Sequence, residues 1–129
     1  MNLKKNIILL TRKLPQNIEQ KLQKKYTVIL NKSDKKYTYS ELKKKVSDID
    51  ILVPCISDTI DASIIKAAKK LKLISNFGNG VDNLDLVTAK ENNIIVTNTP
   101  DVLTEDTADL VLTMILMISR KVLEAQRGL

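Results

Sequence analysis

Histidine and tryptophan are missing from these 129 residues, and one phenylalanine with three tyrosines supplies all the aromatic surface. Without histidine, no side chain titrates near neutrality in its unperturbed form, so acid/base chemistry of the imidazole kind is excluded. The scarcity of aromatics means that a core has to be built from Ile, Leu, Val and Ala. It also leaves almost nothing on which nucleic-acid bases could stack. There is one cysteine, Cys55, so no internal disulfide is possible. It lies in the apolar run Ile51–Ile56 and reads as a small buried hydrophobe, because a thiolate nucleophile would need an activating base. No catalytic residue and no metal ligand set is expected. Long hydrophobic runs are lacking too. A membrane-spanning helix needs roughly 18 apolar residues, whereas the longest candidate, Leu110–Ile118, is shorter and contains Thr113. The run Ile7–Leu10 behind Lys4 and Lys5 is too short for a signal peptide. A cytoplasmic protein with no membrane partner is therefore expected.

Charge is abundant but uneven. The net charge is +6; the first 50 residues carry +8 and the remainder −2. A basic half can indicate nucleic acid. Here, however, the lysines fall in Lys21-Lys24-Lys25 and Lys43-Lys44-Lys45, on the polar faces of expected helices, and Arg12 is the one arginine among them. A solvated face is the better reading, and no nucleic-acid partner is expected.

The apolar pattern alternates between short runs and helical periodicity. Asn6–Thr11, Thr27–Leu30, Ile49–Ile56, Leu71–Phe77 and Ile94–Thr97 read as strands. Between them, Ile18, Leu22 and Tyr26 recur every four residues after Pro15. Ser40 is placed to cap a short helix through Val46, Ala62–Lys70 has its own apolar side, and Leu84–Asn92 ends at an Asn pair suited to a left-handed cap. Alternating strands and helices predict an α/β fold: a flavodoxin-like, doubly wound parallel sheet of about five strands. Ligands in such sheets lie beyond the carboxyl ends of the strands. That edge holds Ile56-Ser57, Phe77–Val81 and Asn98–Pro100.

A long helix is expected to follow, from an N-cap at Thr104 to Arg127, roughly 34 Å at about 1.5 Å per residue, with Gly128 as its C′ residue. Its middle is apolar almost all round, so it needs cover on more than one side, from another domain or another subunit. The domain division expected is 1–103 for the sheet and 104–129 for a linking and dimerisation helix.

Two of the three glycines stand in Gly78-Asn79-Gly80-Val81-Asp82-Asn83, directly after an expected strand. This is not a dinucleotide fingerprint: Asn83 occupies the third glycine position, and no acidic residue ends the next strand. The glycines instead permit positive φ and close backbone approach. Successive N–H groups could then hold an anion such as a small carboxylate. The same loop serves equally as a tight strand-to-helix turn with no ligand.

Three linked stretches carry a resemblance: Leu71–Asp85, Ile94–Thr104 and Glu105–Leu110, with looser agreement at Leu10–Pro15 and Ile56–Asp58. Together they resemble the N-terminal substrate (catalytic) domain of D-isomer-specific 2-hydroxyacid dehydrogenases, glyoxylate reductases above all. The resemblance implies a substrate-binding domain of flavodoxin-like fold, into which a nucleotide-binding domain is inserted through a long helix. It implies that the backbone amides of Asn79 and Gly80 hold the carboxylate of a small 2-keto or 2-hydroxy acid, with Val53 near the substrate. Thr104 and Thr107 would approach the nicotinamide end of NAD or NADP, and Asp82 and Asn83 would stabilise the turn. A homodimer through the C-terminal helix is implied as well. The family's G-x-G-x-x-G fingerprint, its substrate-clamping Arg and its Glu–His pair find no match here. The chain is therefore expected to be the front part of such an enzyme, lacking the nucleotide-binding domain, inactive alone and binding no cofactor tightly. Asn79 replaces the small or apolar residue usual between the two glycines. The competing expectation is a stand-alone, non-catalytic carboxylate-binding or dimerisation module.

Overall fold

A computed structural model describes residues 6–128. Five parallel strands form one sheet: β1 (Ile7–Leu10), β2 (Thr27–Ile29), β3 (Ile51–Val53), β4 (Leu73–Ser75) and β5 (Ile95–Thr97). Their order is β2-β1-β3-β4-β5, the doubly wound order of the flavodoxin-like fold. The helices between them are α1 (Gln16–Lys25), α2 (Tyr39–Lys45), α3 (Ala62–Ala67) and α4 (Leu86–Glu91), with a 3-10 turn at Val46–Asp48. The strands are shorter at their ends than the apolar runs predict, because the terminal residues leave the ladder to form the loops.

The topology decides which face each helix covers. The step from β1 to β2 runs one way along the sheet, and the steps to β3, β4 and β5 run the other way. With right-handed crossovers, α1 lies on one face and α2, α3 and α4 on the opposite face. The core sits under those three helices, where Leu9, Leu52 and Ile74 of the sheet meet Leu42, Val46, Ile60, Ile64 and Ile65. All eight are essentially inaccessible. Each such side chain stabilises the fold by about 1.5–3 kcal/mol relative to exposure. Val53 and Ser75 alternate to the α1 face, where α1 packs against β2. Strands β2 and β5 are the two open edges of the sheet.

The capping chemistry refines the expected boundaries. Helix α2 is capped by Thr38 rather than Ser40, because Thr38-Tyr39-Ser40-Glu41 forms a complete capping box. Thr38 Oγ1 accepts from Glu41 N at 3.3 Å, and Glu41 Oε2 accepts from Thr38 N at 2.8 Å. Asp61 caps α3 through Ile64 N, and Asp85 caps α4 through Thr88 N, both at 2.9 Å. Asn93 takes the left-handed conformation at φ 55°, as the Asn pair predicts.

Among the described residues, those up to Thr99 form one compact unit and those from Pro100 onward a second. In the second, the expected single helix is broken in two: α5 (Thr104–Ser119) and α6 (Val122–Arg127). The break has a local cause. Ser119 Oγ donates to Leu116 O at 3.0 Å, competing with the helical ladder, and Lys121 turns left-handed at φ 49°. Leu103, not Thr104, bounds the N-terminus of α5, its carbonyl accepting from Thr107 N at 3.0 Å. Gly128 remains right-handed at φ −92°. Leu110, Leu112, Ile115 and Ile118 are all exposed on α5. Among the described residues, no helix is long and apolar enough to cross a membrane.

Candidate functional site

The carboxyl ends of the strands are knitted together by polar residues that directly follow apolar ones. Thr11, after β1, donates through Oγ1 to Asp58 Oδ2, which also accepts from Cys55 N at 2.9 Å. Both Thr11 and Asp58 are buried, and Asp58 Oδ1 has no hydrogen-bond partner among the described residues. Cys55 O accepts from Asn83 Nδ2 at 3.3 Å. Asn83 in turn pairs with buried Asn76, amide against amide, at 3.2 and 3.3 Å. Burial demands this, because an amide removed from water without partners costs about 1–3 kcal/mol. Backbone bonds complete the weave: Phe77 N to Pro54 O at 2.8 Å and Asn76 N to Thr97 O at 2.7 Å.

Above this web runs the loop Gly78-Asn79-Gly80. Three of its successive carbonyls are each held. Gly78 O accepts from Thr99 N at 3.0 Å, Asn79 O from Asn98 Nδ2 at 2.6 Å, and Gly80 O from Asn76 Nδ2 at 2.9 Å. The Gly80 N–H makes no hydrogen bond within the protein among the described residues, and Gly80 is exposed.

Of the two reasons expected for the glycines, positive φ does not apply and close approach applies to Gly78. Neither takes positive φ. Gly78 is required by close approach: a Cβ there would overlap Ile56 Cγ2. A Cβ on Gly80 would meet only Asp82 Oδ2, at an ordinary 3.7 Å.

Beside the loop, on the α1 face, lies an apolar cavity of about 340 Å³, lined among others by Leu14, Pro15, Ile18, Val53, Asn76 and Phe77. Val53 therefore borders a cavity at the carboxyl end of β3, while Asn79 and Gly80 stand on the loop that leaves β4 and do not line it. Asn83, expected with Asp82 to stabilise the turn, bonds through its side-chain amide to Asn76 and to Cys55 O instead of the turn's own backbone. Thr104 and Thr107 belong to the second unit, where both are exposed on α5. Arg12, at the same edge as Thr11, is engaged by Asp34: its Nε donates to Asp34 Oδ1 at 3.0 Å, and Lys13 N donates to the same oxygen at 2.8 Å. That hydrogen bond raises the guanidinium pKa and lowers that of the Asp34 carboxyl. Among the described residues, no group of acidic or cysteine side chains could hold a metal ion.

Sequence reasoning placed Asn98 on this edge without a role, and it missed Thr11, Asp58 and Asn76. The available signal was a polar residue immediately after an apolar strand run, at Thr11 and at Asn76.

A five-stranded parallel sheet in the order β2-β1-β3-β4-β5, with a clamped, glycine-bounded loop at the carboxyl end of β4, defines a doubly wound α/β domain. Residues 8–126 match the model of the D-isomer specific 2-hydroxyacid dehydrogenase catalytic domain, and the chain belongs to that family. It is 37% identical to a glyoxylate reductase of Thermococcus onnurineus over 120 residues, and 36% identical to one of Pyrococcus horikoshii over the same length. Each match covers 93% of this chain but 36% of the relative, so the chain spans about a third of these relatives' length. Among solved structures, a 2-hydroxyacid dehydrogenase of Ketogulonicigenium vulgare matches with a TM-score of 0.73 at 34% identity, covering 96% of this chain and 39% of that one. A Thermus thermophilus protein matches at 0.77 and 38% identity, covering 92% and 38%.

Proposed function

We propose that this chain is the substrate-binding part of an NAD(P)-dependent D-2-hydroxyacid dehydrogenase of the glyoxylate reductase kind, whose intact form reduces the 2-carbonyl of a small keto acid. The observation that carries the reading is the exposed Gly80 N–H on a loop whose carbonyls are all engaged. Such an amide is a ready donor to a carboxylate, and charge-assisted bonds of this kind are stronger than neutral ones. Asn79 contributes the neighbouring amide, and Val53 offers apolar surface to the rest of a small substrate. In this reading residues 1–103 hold the substrate, and 104–129 link onward and join two copies through the apolar surface of α5. The lone, unpaired Cys55 accords with a reducing, cytoplasmic setting.

In this reading no dinucleotide is held by these residues themselves. After Gly80 the chain enters a turn and then the short helix α4, and β5 ends in Val96-Thr97 rather than an acidic residue. Thr104 and Thr107 would approach the nicotinamide only in the complete enzyme. No histidine is present to protonate the alkoxide that ketone reduction leaves. The chain alone is therefore expected to give no saturable NADH or NADPH oxidation with glyoxylate or hydroxypyruvate. The same residues joined to the remaining two-thirds of the Thermococcus onnurineus relative are expected to restore it. Turnover by the isolated chain, or a folded chimera without activity, would count against the reading.

A further inference from the structure

We propose that Asn98 is a positioning residue that aims the Gly80 amide at the substrate carboxylate; the inference rests on the carboxylate reading given above. A trans peptide is planar, and its C=O and N–H point in opposite directions. The Asn79 carbonyl and the Gly80 N–H belong to one such peptide. Asn98 Nδ2 binds that carbonyl at 2.6 Å, so the Gly80 N–H is directed away from the segment that follows β5. The preceding peptide is treated in the same way, since Thr99 N holds Gly78 O at 3.0 Å. Two adjacent residues of one segment thus set two adjacent peptides of the loop in a common sense. The third peptide is set from beneath, by Asn76 Nδ2 on Gly80 O at 2.9 Å.

The three clamps differ in what else they do. Asn76 is 1% exposed and shares its amide with Asn83, so removing it disturbs the interior. Thr99 acts through its backbone and cannot be tested by a side-chain change. Asn98 is exposed, and its one side-chain bond recorded among the described residues goes to the loop. Its structural value to the fold is therefore small, while its geometric value to the Gly80 donor is direct. A loop without this clamp samples other peptide orientations, and the bound carboxylate has to select among them.

The test uses the ¹⁵N-labelled full chain, titrated with oxamate as a stable 2-oxo carboxylate mimic, with the Gly80 and Val81 amide resonances followed by NMR. The wild-type chain is expected to show saturable shifts at both. Asn98→Ala is expected to melt at the wild-type temperature yet to bind oxamate about fivefold more weakly, the ratio that one net hydrogen bond represents. Asn98→Asp, which cannot donate, is expected to lose at least as much. A role confined to stability would move the melting temperature and leave the affinity alone. Either variant binding within about twofold of wild type overturns the proposal. A wild-type chain without shifts at Gly80 overturns the carboxylate reading itself, and the positioning role falls with it.

Discussion

Asn76 and Asn83 face each other beneath the glycine loop, each donating its side-chain amide to the other's oxygen, at 3.2 and 3.3 Å. One member also holds Gly80 O and the other Cys55 O, so a single amide pair joins the loop after β4 to the loop after β3. Truncating Asn83 would strand the buried Asn76 oxygen, while the Cys55 carbonyl keeps the bond it accepts from Asp58 N at 2.9 Å. Asn83→Ala is expected to cost about 1–3 kcal/mol of stability, read from urea unfolding. A cost below about 0.5 kcal/mol would show that water replaces the pair without loss.

The Gly78 site makes a steric prediction. Gly78→Ala forces Ile56 or the loop to move, at an expected cost of about 1–3 kcal/mol. Combining it with Ile56→Ala should recover much of that loss, because the clashing methyl is gone. Gly80→Ala, with open space around its added methyl, is expected to stay within about 0.5 kcal/mol of wild type. Chemical denaturation of the three variants decides among these outcomes.

Three carboxylates at helix starts make stability depend on pH. The backbone amide of Ile64 lowers the Asp61 pKa below its ordinary 3.8, that of Thr88 does the same for Asp85, and that of Thr38 lowers Glu41 below 4.5. A carboxyl whose folded pKa is depressed stabilises the fold fully above its unfolded pKa. The contribution is lost as pH falls through the lower, folded value. The melting temperature should therefore be flat above about pH 5 and fall progressively below the ordinary carboxylate values. Asp61→Asn keeps a cap of equal quality without the charge and should make that fall shallower. An unchanged acid limb in Asp61→Asn and Asp85→Asn would remove the caps as its cause.

The apolar surface of α5 makes a prediction about association. Leu112 and Ile115 are 60% and 56% exposed. Replacing both by Lys is expected to convert a self-associating chain into a monomer, measured by light scattering across a sizing column, with the sheet's far-ultraviolet signal preserved. A wild-type chain that is already monomeric would contradict the dimer reading.

The sheet was legible in the sequence because its strands are short apolar runs of the right spacing, and every one of the five expected strands forms. Asn92-Asn93 named its own left-handed turn correctly. What escaped were choices made by single side-chain contacts. Thr38 displaced Ser40 as the cap because Glu41 could answer it from three residues on, and Ser119 with Lys121 divided a helix whose apolar composition gave no sign of a stop. At the glycine loop, one of the two expected reasons holds for Gly78, which lies too close to Ile56 for a side chain, and the other, positive φ, does not. Of the two side chains that hold the loop's peptides, Asn76 is near in sequence, whereas Asn98 lies beyond the next helix and strand, so no local pattern links it to the loop.

The sheet has two unpaired borders, and the sequence guards them unequally. Lys24 and Lys25 precede β2 and Lys32 follows it, so a foreign strand approaching there meets positive charge. Around β5 no charged residue occurs from Asn92 to Pro100, and Ile95 is 65% exposed. Charged side chains are the usual defence of a free strand edge. At high concentration, the β5 border is where misassembled copies of this chain would begin to zip together.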